Sequence, residues 1–123
     1  MRGRHRLGTR AEFIIGSAES LPLETGSIDG AVASVSAHHW SDRQKGFAEA
    51  FRVIRPGGRI VIAEFRPAGP IRSVLRRFGG ARHKGALDAS AWTAELTGAG
   101  FTGVTVVDGG WASRLALFLR ATR

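Results

Sequence analysis

Two adjacent histidines, His38 and His39, are the side chains in this sequence that are best suited to acid–base chemistry. Imidazole titrates near neutral pH, so either ring could act as a general base that removes a proton from a nucleophile. A metal site is not expected, because adjacent side chains point in different directions and no carboxylate or third histidine lies at ligand spacing. The structural alternative is that both histidines pack, with Trp40, against the start of the next helix. The sequence leaves both interpretations open.

Three polar segments lie at or near the ends of apolar runs that are typical of buried strands. Residues 17–19 follow the first run, Ser34 lies near the end of the second, and Glu64 is close to the end of the third. Ligands of open α/β sheets bind at the carboxyl ends of the strands. The first two segments are therefore candidates for contact with a ligand, and an ordinary strand-end turn is the alternative for residues 17–19. A solvated strand end is the simpler expectation for Glu64.

Hydrophobic periodicity predicts strands and helices that alternate along the chain. The predicted strands are 12–16, 28–36, 59–65, 103–107 and 114–121. Ser41 and Gln44 match a capping box at the start of the first helix, which Pro56 and the two glycines after it end. A later helix is predicted over 90–99, and an apolar stripe predicts a further one before it: Ile71, Val74, Leu75 and Phe78. The last two strands must be antiparallel, because only a short turn joins them.

Four short motifs occur in an order that resembles a known family. They are Leu21-Pro22-Leu23, Gly26-Ser27-Ile28-Asp29, His38-His39-Trp40 and Arg55-Pro56-Gly57-Gly58. This order is similar to that of class I S-adenosylmethionine-dependent methyltransferases of the small-molecule, type 11-like kind. The resemblance implies a partial Rossmann-like α/β fold, with a mostly parallel sheet that ends in an antiparallel hairpin. The complete fold of that family has the strand order 3-2-1-4-5-7-6, and strands three to seven are expected here.

The resemblance also implies roles for individual residues in binding S-adenosylmethionine. The position of Ser17 holds an acid in the family, which accepts a hydrogen bond from the adenine amino group. The backbone amide of Ala18 helps to hold the ring, Glu19 belongs to the same turn, and Ser34 lies beside the donor. Because only 15 residues precede Gly16, we expect an N-terminal truncation that removes the first two strands, the glycine-rich turn and the ribose-binding acid.

The expected loss of two strands would leave the strand 28–36 with an open apolar edge, which proteins normally cover. Three arrangements are consistent with the sequence. The chain could be a fragment of a longer product, or two copies could pair as a homodimer through these edges. In the third arrangement, the strand 12–16 moves in to pair directly with 28–36, which gives a five-stranded sheet.

Composition narrows the function classes further. The net charge is +8, there is no cysteine, and no apolar run approaches the ~20 residues that span a bilayer. Residues 1–10 are predicted to be a basic flexible arm, residues 11–123 a single methyltransferase-like domain, and the location cytoplasmic. Nucleic-acid binding is not favoured, because no aromatic residues interleave with the N-terminal arginines.

The predicted function is methyl transfer from S-adenosylmethionine to an unknown small molecule. Two alternatives stay open. One is a non-catalytic remnant that acts as an interaction or regulatory protein, and the other is a basic nucleic-acid binder.

Overall fold

The computed structural model describes residues 4–7, 11–65, 89–107, 110 and 116–123, whose elements are those of an α/β protein. The strands in this part of the chain are β1 (Arg4–Leu7), β2 (Ala11–Ile14), β3 (Ile28–Ser34), β4 (Ile54–Phe65), β5 (Thr102–Val106) and β6 (Ala116–Thr122). The helices are α1 (Arg43–Val53), α2 (Ala89–Gly98) and a short 3-10 helix (Ala37–His39). No helix among the described residues is long and apolar enough to cross a membrane. The helix predicted over 71–78 lies outside the described residues.

The main sheet contains four strands in the order β3-β4-β6-β5. Strands β3 and β4 are parallel, and β6 is antiparallel to both β4 and β5. The parallel pair is connected by α1, since parallel neighbours need a crossover rather than a tight turn. This order corresponds to positions 4-5-7-6 of the family fold, so the predicted partial Rossmann-like fold with its C-terminal antiparallel pair is confirmed. The described sheet is mixed rather than mostly parallel, because two of its three strand pairs are antiparallel.

The glycine pair that was predicted to be a turn lies inside β4, which begins at Ile54 rather than at Arg59. Gly57 has a φ of +83°, which L side chains rarely adopt. A Cβ at Gly58 would lie 2.5 Å from the backbone oxygen of Asp29. The two glycines therefore form an irregularity within the strand, where the pairing with β3 also shifts register.

The start of α1 differs from the prediction by one residue. Asp42, and not Ser41, is the N-cap, and its side chain accepts a hydrogen bond from the Lys45 amide at 3.1 Å. The backbone N–H of Asp42 donates to Glu19 Oε1 at 2.6 Å. A capping box normally supplies that second acceptor from within the helix. Here it comes from the loop after β2, so the start of the helix and the loop are fixed together.

The hydrophobic core lies between α1, α2 and one face of the main sheet. Alternate residues of β4 and β6, including Ile60, Ile62 and Leu119, point toward the helices and are about 1% exposed. Phe47 of α1 and Trp92 of α2 are fully buried and pack edge to face, with ring centroids 6.1 Å apart. Burial of each such side chain stabilises the fold by roughly 1.5–3 kcal/mol. This packing fixes β4, and with it the carboxyl edge of the parallel pair.

The first predicted strand does not join the main sheet. Strand β2 pairs antiparallel with β1, which lies within the stretch predicted to be a flexible arm. Every residue of β2 is exposed, Phe13 by 55%. The prediction of a buried strand, and the hypothesis that it pairs with β3 in a five-stranded sheet, are therefore wrong. A partner only a few residues away in sequence costs little loop-closure entropy, which favours the local hairpin.

Candidate functional site

The candidate site lies at the carboxyl edge of β3 and β4, where the backbone of Val35 is strained. Strand β3 ends at Ser34, and Val35 adopts a φ of +48°. The amide of Val35 donates to the carbonyl of Ala63 at 2.6 Å. A β-branched residue rarely adopts this conformation, which costs about 1–3 kcal/mol. The bend directs the following 3-10 helix, which carries both histidines, toward the end of β4.

His38 and Glu64 form a close polar pair at this edge. The distance between His38 Nδ1 and Glu64 Oε2 is 2.6 Å. The side chain of Glu64 is 2% exposed and that of His38 is 21% exposed. The expectation of a solvated Glu64 is therefore wrong. Glu64 lies two residues after Ile62, so its side chain points to the buried face of the sheet.

A second charged cluster on α1 and α2 lies near this pair. Arg43 donates to both oxygens of Glu95, at 2.7 Å for Nη2 to Oε1, and its guanidinium carbon lies 4.4 Å from the centroid of the Trp92 ring. The hydrogen bond to Glu95 raises the pKa of Arg43 most, burial opposes the rise, and the negative charges of Glu95 and Glu64 add to it. Arg43 therefore supplies positive charge to the surroundings of Glu64.

The remaining residues of the motif have different roles. His39 is exposed, and its ring centroid lies 3.8 Å from that of His38. Trp40 packs edge to face on Phe47, and its indole N–H donates to Ser36 Oγ at 3.1 Å. Packing thus accounts for Trp40 but not for His39. Among the described residues, no group of three or more acidic or histidine side chains could hold a metal ion.

The predicted donor-binding residues lie on the loop after β2 and at the end of β3. Ser17 is exposed, and its hydroxyl accepts a hydrogen bond from the Glu19 amide at 3.2 Å. Ala18 is half-buried, and Ser34 is exposed at the carboxyl edge. One carboxylate oxygen of Glu19 is used by the amide of Asp42. This hydrogen bond holds the loop beside Asp42, four residues after His38 and at the same edge of the sheet.

Two side chains of α1 that the sequence analysis did not identify hold this loop. Glu49 accepts a hydrogen bond from the Leu21 amide at 2.8 Å, and Arg52 donates to the Leu21 carbonyl at 3.1 Å. The hydrogen bond from Arg52 lowers the pKa of Glu49 most; burial opposes this change, and the bond from Leu21 assists it. The i, i+3 spacing of an acid and a base on a helix was the available signal.

The predicted donor-binding residues would reach only the adenine end of S-adenosylmethionine. Ser17 and Ser34 are exposed and Ala18 is half-buried, and the roles that the family resemblance implies for them stay predictions. Asp29, which lies in β3, is paired with Arg55 through a 2.9 Å hydrogen bond and is at the amino-terminal end of the parallel pair. It is therefore on the wrong side of the sheet for a ligand at the carboxyl edge.

Comparisons with known proteins agree with this architecture. Residues 2–62 match the sequence family described as a methyltransferase domain. The chain is 39% identical over 67 residues to the ubiquinone/menaquinone biosynthesis C-methyltransferase UbiE of Methylobacterium nodulans, an overlap of 51% of this chain and 27% of that protein. It is 41% identical over 71 residues to the O-methyltransferase rstn1 of Aspergillus nomiae, an overlap of 56% of this chain and 32% of that protein.

A solved structure also has the same fold. It is a S-adenosylmethionine-dependent methyltransferase from Thermotoga maritima, described as a possible histamine N-methyltransferase. The TM-score is 0.65 at 18% identity, and the match covers 87% of this chain and 61% of that one.

The relatives and the neighbour define the domain but not the methyl acceptor. The three proteins are named for transfer to carbon, oxygen and nitrogen, respectively. The chain spans about a third or less of the length of the two curated relatives. The motif order, the matched residues and the sheet order nevertheless agree with one another. The chain belongs to the class I S-adenosylmethionine-dependent methyltransferase family.

Proposed function

We propose that this chain acts in the transfer of a methyl group from S-adenosylmethionine to a small molecule that carries a hydroxyl or amine group. The observation that carries the proposal is the His38–Glu64 pair at the carboxyl edge of β3 and β4. The bound donor supplies an electrophilic methyl group. Transfer is an in-line attack that depends mainly on proximity and orientation, so the chain need provide little further side-chain chemistry.

His38 is proposed to act as the general base that receives the proton of the methyl acceptor. A hydroxyl or ammonium group becomes a better nucleophile when its proton is removed as the bond to the methyl carbon forms. His38 is partly exposed at the edge where ligands of this fold class bind, so it can receive that proton. His39, whose ring is 3.8 Å from that of His38, is the second candidate for the same step.

Ser17, Ala18 and Ser34 are proposed to contact the donor. The hydroxyl of Ser17 is neutral, whereas family members have an acid at this position. Hydrogen bonds to a charged acceptor are roughly twice as strong as neutral ones. We therefore expect this chain to bind the donor more weakly than a relative with the acid.

Calorimetric titration with S-adenosylhomocysteine, the product form of the donor, tests this function. Replacing Ser17 by Asp (S17D) should tighten binding by about fivefold, which corresponds to a gain of about 1 kcal/mol from a charge-assisted bond. Ser20→Asp is the matched control, since Ser20 is an exposed serine in the same turn. A folded protein with no binding at millimolar ligand, or an equal gain from both variants, would count against donor binding at this site.

The open edge of β3 favours a second candidate function, which is assembly with another copy of the chain. Among the described residues, no strand pairs with the side of β3 that faces away from β4. Val32 in this strand is 74% exposed. Exposed edges with apolar side chains favour pairing with another strand. We propose a homodimer in which two β3 edges meet.

A further inference from the structure

Glu64 is a charged residue on the apolar, buried face of the main sheet. The buried face of β4 also carries Ile60 and Ile62, and the residue of β6 opposite Glu64 is Leu117. Among the described residues, Glu64 is the one charged residue that is buried. Burial of a carboxylate is costly unless it is well paired, and an apolar residue of similar size would serve packing better. Stability alone therefore does not explain this side chain.

The pairing of Glu64 is incomplete. Its Oε2 atom lies 2.6 Å from His38 Nδ1, whereas Oε1 is buried and has no hydrogen-bond partner among the described residues. A carboxylate that served only to satisfy a structural network would use both oxygens. The one contact that Glu64 does make is directed at a specific nitrogen of a specific ring.

That contact determines where the proton of the neutral His38 ring lies. An ionised carboxylate only accepts hydrogen bonds, so Nδ1 must be the protonated nitrogen and Nε2 keeps its lone pair. Arg43 supplies a positive charge near Glu64, and the negative charge of Glu64 helps to raise the pKa of Arg43. Among the described residues, the titratable groups that face the pair are the ring of His39 and the Arg43–Glu95 ion pair.

We infer that Glu64 is a positioning residue that holds His38 with Nδ1 protonated and Nε2 free to accept the proton of the methyl acceptor. This inference rests on the proposed function of His38. When Nε2 takes up a proton, His38 becomes a cation beside the buried anion. Opposite charges at this distance attract strongly away from water, so Glu64 also stabilises the product of the proton transfer.

The tautomer can be read directly by NMR of the ring nitrogens in the ligand-free protein at about pH 8.5, where an ordinary imidazole is neutral. The signals of His38 are assigned with the variant H38N. We expect Nδ1 of His38 to be protonated and Nε2 to be unprotonated. The exposed His39 is the internal control, and it should show the Nε2-protonated form that free histidine prefers. The finding that His38 also carries its proton on Nε2 would overturn the inference.

Two substitutions separate positioning from structural support. Glu64→Leu should shift His38 to the Nε2-protonated form while the melting temperature stays the same or rises, because a buried charge is replaced by an apolar side chain. Glu64→Gln keeps the shape, removes the charge and should give a mixture of tautomers; it serves as the readout if the leucine variant does not fold. An unchanged tautomer in the variant that folds would overturn the inference.

Titration of the same samples with S-adenosylhomocysteine keeps the two proposals apart. Glu64 is not among the residues proposed to contact the donor, so the glutamine variant should bind the ligand as the parent chain does. Absence of binding in both proteins, with Nδ1 of His38 protonated in the parent, would reject the methyltransferase function and support the positioning geometry. Binding in the parent, with Nε2 of His38 protonated, would support donor binding and overturn the positioning role of Glu64.

Discussion

Val35 is the residue whose conformation decides where the candidate base lies. Its φ of +48° bends the chain directly after β3, and three residues later His38 contacts the end of β4. Strain of this kind persists only where the surrounding structure enforces it, and it is common at ligand sites. The 2.6 Å hydrogen bond from Val35 to Ala63 is the contact that enforces it here.

Replacement of Val35 by Asn should therefore stabilise the fold by about 0.5–1 kcal/mol, because asparagine adopts the left-handed conformation at lower cost than valine. Little hydrophobic contact is lost, since Val35 is 52% exposed. Urea unfolding measures the change. Val32→Asn is the control: Val32 is also exposed, but it lies in regular β3, where asparagine is unfavourable. Equal changes in the free energy of unfolding in both variants would show that the strain at Val35 does not destabilise the fold.

The sequence was sufficient to select residues of the candidate site, but it did not predict how buried each of them is. His38 was selected because it follows a predicted strand, and Ser34 because it lies near the end of that strand and matches a donor-side position of the family; both lie at the expected edge. Glu64 was expected to be solvated, because a strand end near a loop is usually exposed. It is buried because it continues the inward face of β4 after Ile60 and Ile62, and because His38 covers it from the chain that follows the bend at Val35. The contact with His38 has no local signal in the sequence.

At the scale of elements, the capping of α1 shows why boundaries are hard to predict. Ser41 and Asp42 are both good N-cap residues, and the pattern with Gln44 favoured the serine. The structure uses Asp42, because Glu19 from a distant loop takes the role that the capping box assigned to Gln44. The elements themselves were predictable from periodicity, and α2, β5 and β6 begin and end within two residues of their predicted bounds.

Alanine substitutions at these two positions test the cap. Asp42→Ala should reduce the free energy of unfolding by about 1 kcal/mol, the usual cost of losing an N-cap side chain. Ser41→Ala should change it by less than about 0.5 kcal/mol, as expected for an exposed residue outside the cap. The measurement is chemical denaturation of both variants in parallel. A larger loss at Ser41 than at Asp42 would contradict the assignment.

The attachment of the donor-side loop to α1 should depend on pH. Arg52 lowers the pKa of Glu49 below its ordinary value of about 4.3. The stabilisation is therefore fully present above that ordinary value, and it is lost as the pH falls through the lowered pKa of the folded state.

Glu49→Gln should destabilise the fold by roughly 1 kcal/mol near pH 7, because it weakens charge-assisted hydrogen bonds that are partly exposed to water. The difference from the parent chain should disappear near pH 2, as judged by thermal unfolding across this range. Glu24→Gln is the matched control, because Glu24 is an exposed acid on the same loop, and it should show no such difference. A difference that stays constant down to the lowest pH would exclude the ionised carboxylate as its source.

At the scale of the whole molecule, the resemblance predicted the order of the main sheet but not the position of the first strand. The order β3-β4-β6-β5 follows from connections that the chain contains. The run around Phe13 has the composition of a buried strand, but no neighbouring strand of the main sheet receives it. It pairs with β1 instead, and its apolar side chains remain exposed. The residue types of a strand indicate whether it is suited to burial. The strand with which it pairs depends on which other strands are close to it in the fold.

The open edge of β3 gives the last prediction. If two copies pair through this edge, the chain should sediment as a dimer, and Val32→Lys should convert it to a monomer, since a lysine on an edge strand blocks pairing. Val106→Lys on β5 is the matched control, because Val106 is 58% exposed on the opposite edge of the same sheet. Two β3 edges related by a twofold axis would align antiparallel. Analytical ultracentrifugation distinguishes the cases: a parent chain that is monomeric at about 100 μM rules out this dimer, and dissociation by Val106→Lys alone assigns the contact to β5.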